Sequence, residues 1–137
     1  MIGYLAAYIA AAVVFLAADF AWLSLAGPAL YKPILGPILA DKVNGGAAVA
    51  FYVIYIAGIV FLAIQPAFRT GLWRTAAING LVLGMVAYAT YDLTNQATLK
   101  LWATRLTLAD MTWGGGLTAL AATAGFLAAD KLGWARA

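Results

Sequence analysis

The sequence predicts an all-α integral membrane protein, a four-helix bundle with short loops. Three observations carry that reading. Hydrophobic residues make up 66% of the 137-residue chain and charged residues only 9%, more apolar surface than a soluble domain of this size needs to bury. The apolar residues fall into four runs, each near the roughly 20 residues that a membrane-crossing helix requires. Two of the three breaks between runs are short, which makes the helices they join antiparallel neighbours.

The runs form one transmembrane domain over residues 1–137. The first span covers about 2–26 and carries one charge, Asp19. The second covers about 45–67 and carries none. The third covers about 75–99, with Asp92 and Asn95 in its last third, and the fourth about 108–129, with Asp110 near its start. Between the first two spans, residues 28–44 contain Pro28, Pro33 and Pro37. This stretch is too polar to span, and its apolar side (Tyr31, Ile34, Leu35, Ile38, Leu39) suits a segment lying on the bilayer. The first span lacks a basic n-region and is longer than a signal-peptide core, so it is read as a retained helix.

Mean hydropathy is +0.94 and the isoelectric point near 9.3, yet the basic residues do not suggest nucleic acid. They are scattered over loops and tail, as membrane flanks are. Arg69, Arg74, Lys131 and Arg136 fall on the side of the termini, and Lys32, Lys42, Lys100 and Arg105 on the other. Four against four gives the positive-inside rule no purchase; both termini fall on one side, which is taken as the cytoplasmic one. The balance also permits an antiparallel homodimer. Cysteine, histidine and glutamate are all absent. That removes disulfides, thiol nucleophiles and His-based metal or haem sites. No metal and no cofactor is expected.

The three intramembrane aspartates are the informative residues, because a carboxylate in hydrocarbon is costly. Threading the chain through a bilayer brings Asp19, Asp92 and Asp110 toward one membrane face. Asp19 and Asp92 each lie about 12 Å inside their helix ends at 1.5 Å per residue. Helical spacing puts Tyr88, Asp92 and Asn95 on one face with Tyr91 at its margin, and Asp19 with Trp22 on another. A pocket built from these groups would have Lys32, Asp41, Lys100 and Arg105 at its mouth. Paired carboxylates that cannot both ionise would hold a proton, making Asp19 and Asp92 candidate acid/base groups. Asp and Asn oxygens could hold a hard cation. The basic rim could grip a zwitterionic or anionic amphiphile whose chain lies between Trp22, Tyr88 and Tyr91.

Structural roles compete with each assignment. Asp110 fits a capping box with Thr107 at a helix start, and Asp41 fits a helix cap. Asp92 could be neutralised by Lys100 reaching back along its helix. Asn95 could bond another helix, and Trp22, Trp102 and Trp113 could be interfacial anchors. Ala76, Gly80 and Gly84 form a small-residue ridge that predicts close helix packing. Leu39-Ala-Asp41 before Gly45-Gly46 echoes Leu108-Ala-Asp110 before Gly114-Gly-Gly116, a pattern that two parallel hairpins would leave, though coincidence in so Ala/Leu/Gly-rich a chain is the better explanation.

Several of these residues also carry a likeness. Asp19-Phe-Ala-Trp22-Leu23, Leu39-Ala-Asp41, Tyr88-Ala-Thr-Tyr91-Asp92-Leu-Thr-Asn95 with Ala97-Thr-Leu-Lys100, and Asp110 with Trp113-Gly114 resemble the bacterial membrane family called domain of unknown function 2177. The likeness covers nearly the whole chain, and the Tyr-Asp-Leu-Thr-Asn run is its most specific part. It implies a four-span protein of the bacterial inner membrane and no particular activity. The family's acids fall on Asp19, Asp92 and Asp110, and its amide on Asn95. Three functional readings follow: a site for a lipid-like or amphiphilic ligand, open to acid/base chemistry on it and lined by Trp22, Lys32, Tyr88, Tyr91, Asn95, Lys100, Arg105, Asp110 and Trp113; a proton- or cation-coupled transporter acting as a homodimer; or a non-catalytic accessory subunit.

Overall fold

Pro28 decides how the first helix runs. It has no N–H to donate, and its ring crowds the carbonyl four residues back, so the helix must widen there. In the computed structural model, which describes residues 1–133, α1 (Ile2–Ala26) passes into a π-turn at Gly27–Tyr31. A short α2 (Lys32–Leu35) and a 3₁₀ turn (Gly36–Ile38) follow, so helical structure is continuous over Ile2–Ile38. The segment expected to lie flat on the bilayer thus extends the first helix. Pro33 and Pro37 fall in the first turns of their helical pieces, where a missing N–H costs nothing. Leu35 is buried. Arg136, counted above among the terminal charges, lies outside the described residues.

The second span opens with α3 (Gly45–Ile59), whose cap is Asn44 rather than Asp41. The Asn44 side chain accepts from the Ala47 amide at 3.1 Å, and Asp41 is exposed. A second π-turn, Val60–Ile64, precedes α4 (Gln65–Thr70). Proline again accounts for it. Pro66 leaves the carbonyl of Leu62 without its usual donor, and Asn79 of the next helix reaches that oxygen at 3.5 Å. Gly71, at φ 69°, ends α4 in the left-handed conformation. α5 (Trp73–Thr98) and α6 (Thr104–Lys131) complete the chain, and no strand occurs among the described residues.

Three of the four long helical segments are long and apolar enough to cross a membrane: Ile2–Ile38, Gly45–Thr70 and Trp73–Thr98. α6 is as long but richer in Gly and Thr. Its position explains the difference. It packs most extensively against α5 and next against α1, and twelve of its residues, from Leu106 to Ala129, are buried. Small residues let three neighbours crowd it. The common core joins Ala7, Ala11 and Phe15 to Ile59 and Ile64 and to Ala121, Ala122 and Phe126.

The α5–α6 contact is where backbones come closest. The predicted ridge is buried along α5 at Ala76, Gly80 and Gly84. A Cβ on Gly80 would stand 2.8 Å from the Thr118 carbonyl oxygen, and one on Gly84 would run into the Gly114 carbonyl and the Thr118 side chain. Gly114 in turn lies under the ring of Tyr88. Gly116 faces open space. A Gly84→Val protein should therefore lose about 1–3 kcal/mol by overpacking, read as the free energy of unfolding in mixed detergent. Gly116→Ala should be neutral or gain up to about 1 kcal/mol from Ala's better helix propensity; equal losses at both positions would contradict the close contact.

Candidate functional site

Membrane-embedded acids need donors, and the spans of this chain hold no basic residue near Asp19. Tyrosine and tryptophan supply them. Asp19, on the inner face of α1, accepts the Tyr52 hydroxyl at 2.7 Å and the Trp113 indole N–H at 3.5 Å. Asp110, on α6, accepts the hydroxyl of Tyr31. Tyr31 itself accepts the Trp22 indole N–H at 3.0 Å. The two indoles stack nearly parallel, centroids 4.7 Å apart and planes 8° apart. Each aspartate is thus held by a phenol from another part of the chain, and the stacked tryptophans join the two arrangements.

The Trp22–Tyr31 bond reports on the backbone. In a straight α-helix residues nine apart point to opposite sides and lie roughly 13 Å apart along the axis. Their side chains meet here because the π-turn at Gly27–Tyr31 redirects the chain. The helix irregularity therefore delivers Tyr31 to Asp110, across 79 residues of sequence.

Asp92 is different. It is fully buried in α5, and neither carboxylate oxygen has a hydrogen-bond partner. The rescue by Lys100 read from the sequence does not occur: Lys100 is exposed beyond the end of α5. The capping box also fails. α6 begins at Thr104 with Ala103 as its cap, so Asp110 sits in the second turn. Thr107 instead donates to Gln96 at 2.6 Å and accepts from the Trp102 indole at 2.9 Å, tying α5 to the loop and to the start of α6. Asp110 lies within Coulombic reach of both Asp19 and Asp92.

A cavity of about 1000 Å³ opens in front of Asp19 and Asp110. Its polar groups include both carboxylates, Tyr31, Tyr88 and Tyr91, with Lys32 at the rim. Leu23, Leu35, Leu39 and Phe51 are among its apolar walls, and Tyr55 bonds Thr118 at 2.9 Å on its inner side. The expected lining is thus only partly present. Asp19, Asp110, Tyr88, Tyr91 and Lys32 face this space. Asp92 is sealed behind it, and Asn95 is half-buried outside the lining. Lys100 and Arg105 are exposed and do not contribute to the rim. Trp22 and Trp113 back the site and line a separate shallow groove with Leu108, Thr112 and Leu120.

Sequence reasoning missed Tyr31, Tyr52 and Tyr55. Tyr31 was read only as part of an apolar side, and the second span only as charge-free. The available signal was chemical: for Asp19, in a chain without histidine and with no lysine or arginine near it, phenols and indoles are among the few side-chain donors left. No group of three or more acids among the described residues could hold a metal ion.

Asp19 and Asp92 should answer differently to amidation. Asn at 19 must turn a carbonyl to one donor and its amide hydrogens toward the other, and an indole can only donate. Asp19→Asn is expected to lose about 1 kcal/mol of stability, one neutral hydrogen bond's worth. Asp92→Asn breaks no hydrogen bond and should be neutral or stabilising in the same unfolding assay. A larger loss at 92 than at 19 would contradict these assignments.

A family model described as "Predicted membrane protein (DUF2177)" matches residues 4–127. No curated protein matches the chain, and no solved structure does.

Proposed function

We propose, from the premise that the chain belongs to the DUF2177 family of predicted membrane proteins, that it binds a lipid-like amphiphile in the cavity before Asp19 and Asp110. The observation that carries this reading is the cavity itself: about 1000 Å³, apolar over most of its wall, with two carboxylates at its floor and one lysine at its rim. Convergent polar groups in an apolar pocket are the usual form of a small-molecule site. The charge layout favours a zwitterionic head. Its ammonium would sit against Asp19 and Asp110, its acidic group against Lys32, and its chain along Leu23, Leu35 and Phe51. The anionic alternative that a three-residue basic rim left open falls away, because Lys100 and Arg105 stand apart from the cavity. Any acid/base step on a bound ligand would fall to Asp19 and Asp110, the acids that face it.

A feature at the opposite end of the bundle argues against alternating access. There Gly125 of α6 lies against the Ala7 carbonyl and Ile64, and Ala63, Ala67 and Ala129 are fully buried. A transporter site should be reachable from both sides, and small apolar side chains close this end around α6. We place the protein in the bacterial inner membrane with both termini on the cytoplasmic side.

Native mass spectrometry of protein released from nanodiscs tests the ligand. The parent should retain a zwitterionic lipid, and an Ala87→Trp variant, whose new ring fills the cavity, should lose it. Delipidated protein that instead shows a saturable Na⁺ or Mg²⁺ adduct, abolished by Asp19→Asn, would replace the amphiphile with an ion. The chain has no cysteine, so single cysteines introduced at the exposed positions Ile2 and Gly133 report topology. Both should be labelled by a membrane-impermeant maleimide from the cytoplasmic side only; labelling from opposite sides would refute the placement.

A further inference from the structure

We infer that the cavity is loaded sideways from the bilayer, through a slot between α3 and α5. The inference rests on the amphiphile-binding reading above and adds the route and the ligand's source. Below the π-turn, the second helical segment packs closely on its neighbours: Val60, Ala63 and Ile64 are buried, and Asn79 of α5 bonds the Leu62 carbonyl. Above the π-turn, α3 separates from α5. No residue from Gly45 to Tyr55 is buried, and α3 makes its contacts with α1 and α6 instead.

Long aromatic side chains hold α3 in that position. Tyr52 reaches Asp19, and Tyr55 reaches Thr118 on α6. Phe15 packs edge-on against both tyrosines at 6.1 and 5.4 Å, and Phe51 stacks on Tyr55 at 5.3 Å. These contacts fix α3 to the α1–α6 side at the length of a tyrosine, leaving the α5 side open. Phe51 on α3 and Ala87, Tyr88 and Tyr91 on α5 then line one cavity from opposite edges. Phe51 and Tyr91 are 45% and 54% exposed. The opposite wall, formed by α1 and α6, is closed by the stacked indoles of Trp22 and Trp113.

A lateral slot edged by aromatic rings admits a molecule already dissolved in the membrane. Its head must cross only the distance from Phe51 and Tyr91 to the carboxylates, where the hydroxyls of Tyr88 and Tyr91 have no hydrogen-bonded protein partner among the described residues. The ligand class is therefore a bilayer-resident amphiphile and not a water-borne cation of the same head group.

Bridging the slot tests this. Phe51→Cys and Tyr91→Cys supply the chain's only thiols, to be joined by a short bis-maleimide in nanodiscs. The probes are a diazirine-bearing phosphatidylethanolamine and a diazirine-bearing ethanolamine phosphate without acyl chains. The unbridged protein should label from the lipid probe at cavity residues, and bridging before the probe is added should abolish that labelling. The same variant capped by a monofunctional maleimide should still label. Equal lipid labelling with and without the bridge overturns the lateral route while leaving the binding site standing. Labelling by the soluble probe alone overturns the route and the membrane source together. No labelling of the parent protein by either probe overturns the binding site itself, and the route with it.

Discussion

The backbone approach of α5 to α6 sets the positions of the other parts. Where Gly84 meets the Gly114 carbonyl, two helices come within a distance that no side chain could share. That approach lays the Tyr88 ring over Gly114 and brings Asp92 toward the first turns of α6. Without a strong hydrophobic drive between helices in lipid, such van der Waals contact is a main source of association. It also leaves α6 narrow, so α1 and the Val60–Ile64 turn can pack on its remaining faces. The glycines of α6 that would weaken an isolated helix are thus the ones that let it serve as the axis of the bundle.

Around that axis, the three buried aspartates gather toward one end, and two prolines shape what surrounds them. Pro28 and Pro66 each interrupt a long helix with a π-turn, and each turn changes what the helix does next. The first swings Tyr31 onto Asp110. The second divides a tightly packed lower half of the second segment from an upper half standing off α5. Non-helical or distorted backbone at membrane depth is tolerated when its freed groups find partners or line a cavity. Asn79 supplies such a partner at Leu62, and the cavity accounts for the other turn.

Much of the architecture was legible as composition. Four apolar runs, the Ala76–Gly84 ridge and the isolation of Asp19 from any local cation could be read without coordinates. What could not be read was direction. A proline marks an interruption but does not say whether the chain bends, lies flat or continues, and of the stretch 28–44 expected as an interfacial strip the part up to Ile38 continues as helix. Sequence spacing placed Lys100 and Arg105 on the same side as the acids, which is a statement about depth and not about facing. Thr107-x-x-Asp110 matched a capping pattern, but Thr107 found Gln96 and Trp102 instead, so the helix began a turn earlier. The phenols that hold the acids, Tyr31 and Tyr52, come from two separate stretches, and only the folded chain brings them to Asp110 and Asp19.

The buried, unpartnered carboxyl of Asp92 also bears on how the chain reaches the membrane. α5 is the least apolar of the three segments fit to cross a bilayer, and it carries that carboxyl on the face covered by α6. Presented alone to lipid, it would expose the group that insertion disfavours by a few kcal/mol. α6 follows after only five residues and is itself poor in large apolar side chains on the faces its partners cover. The two helices compensate each other's weaknesses as a hairpin, which makes biogenesis of the C-terminal half a joint event: the machinery that integrates α5 is best served by holding it until α6 has been synthesised.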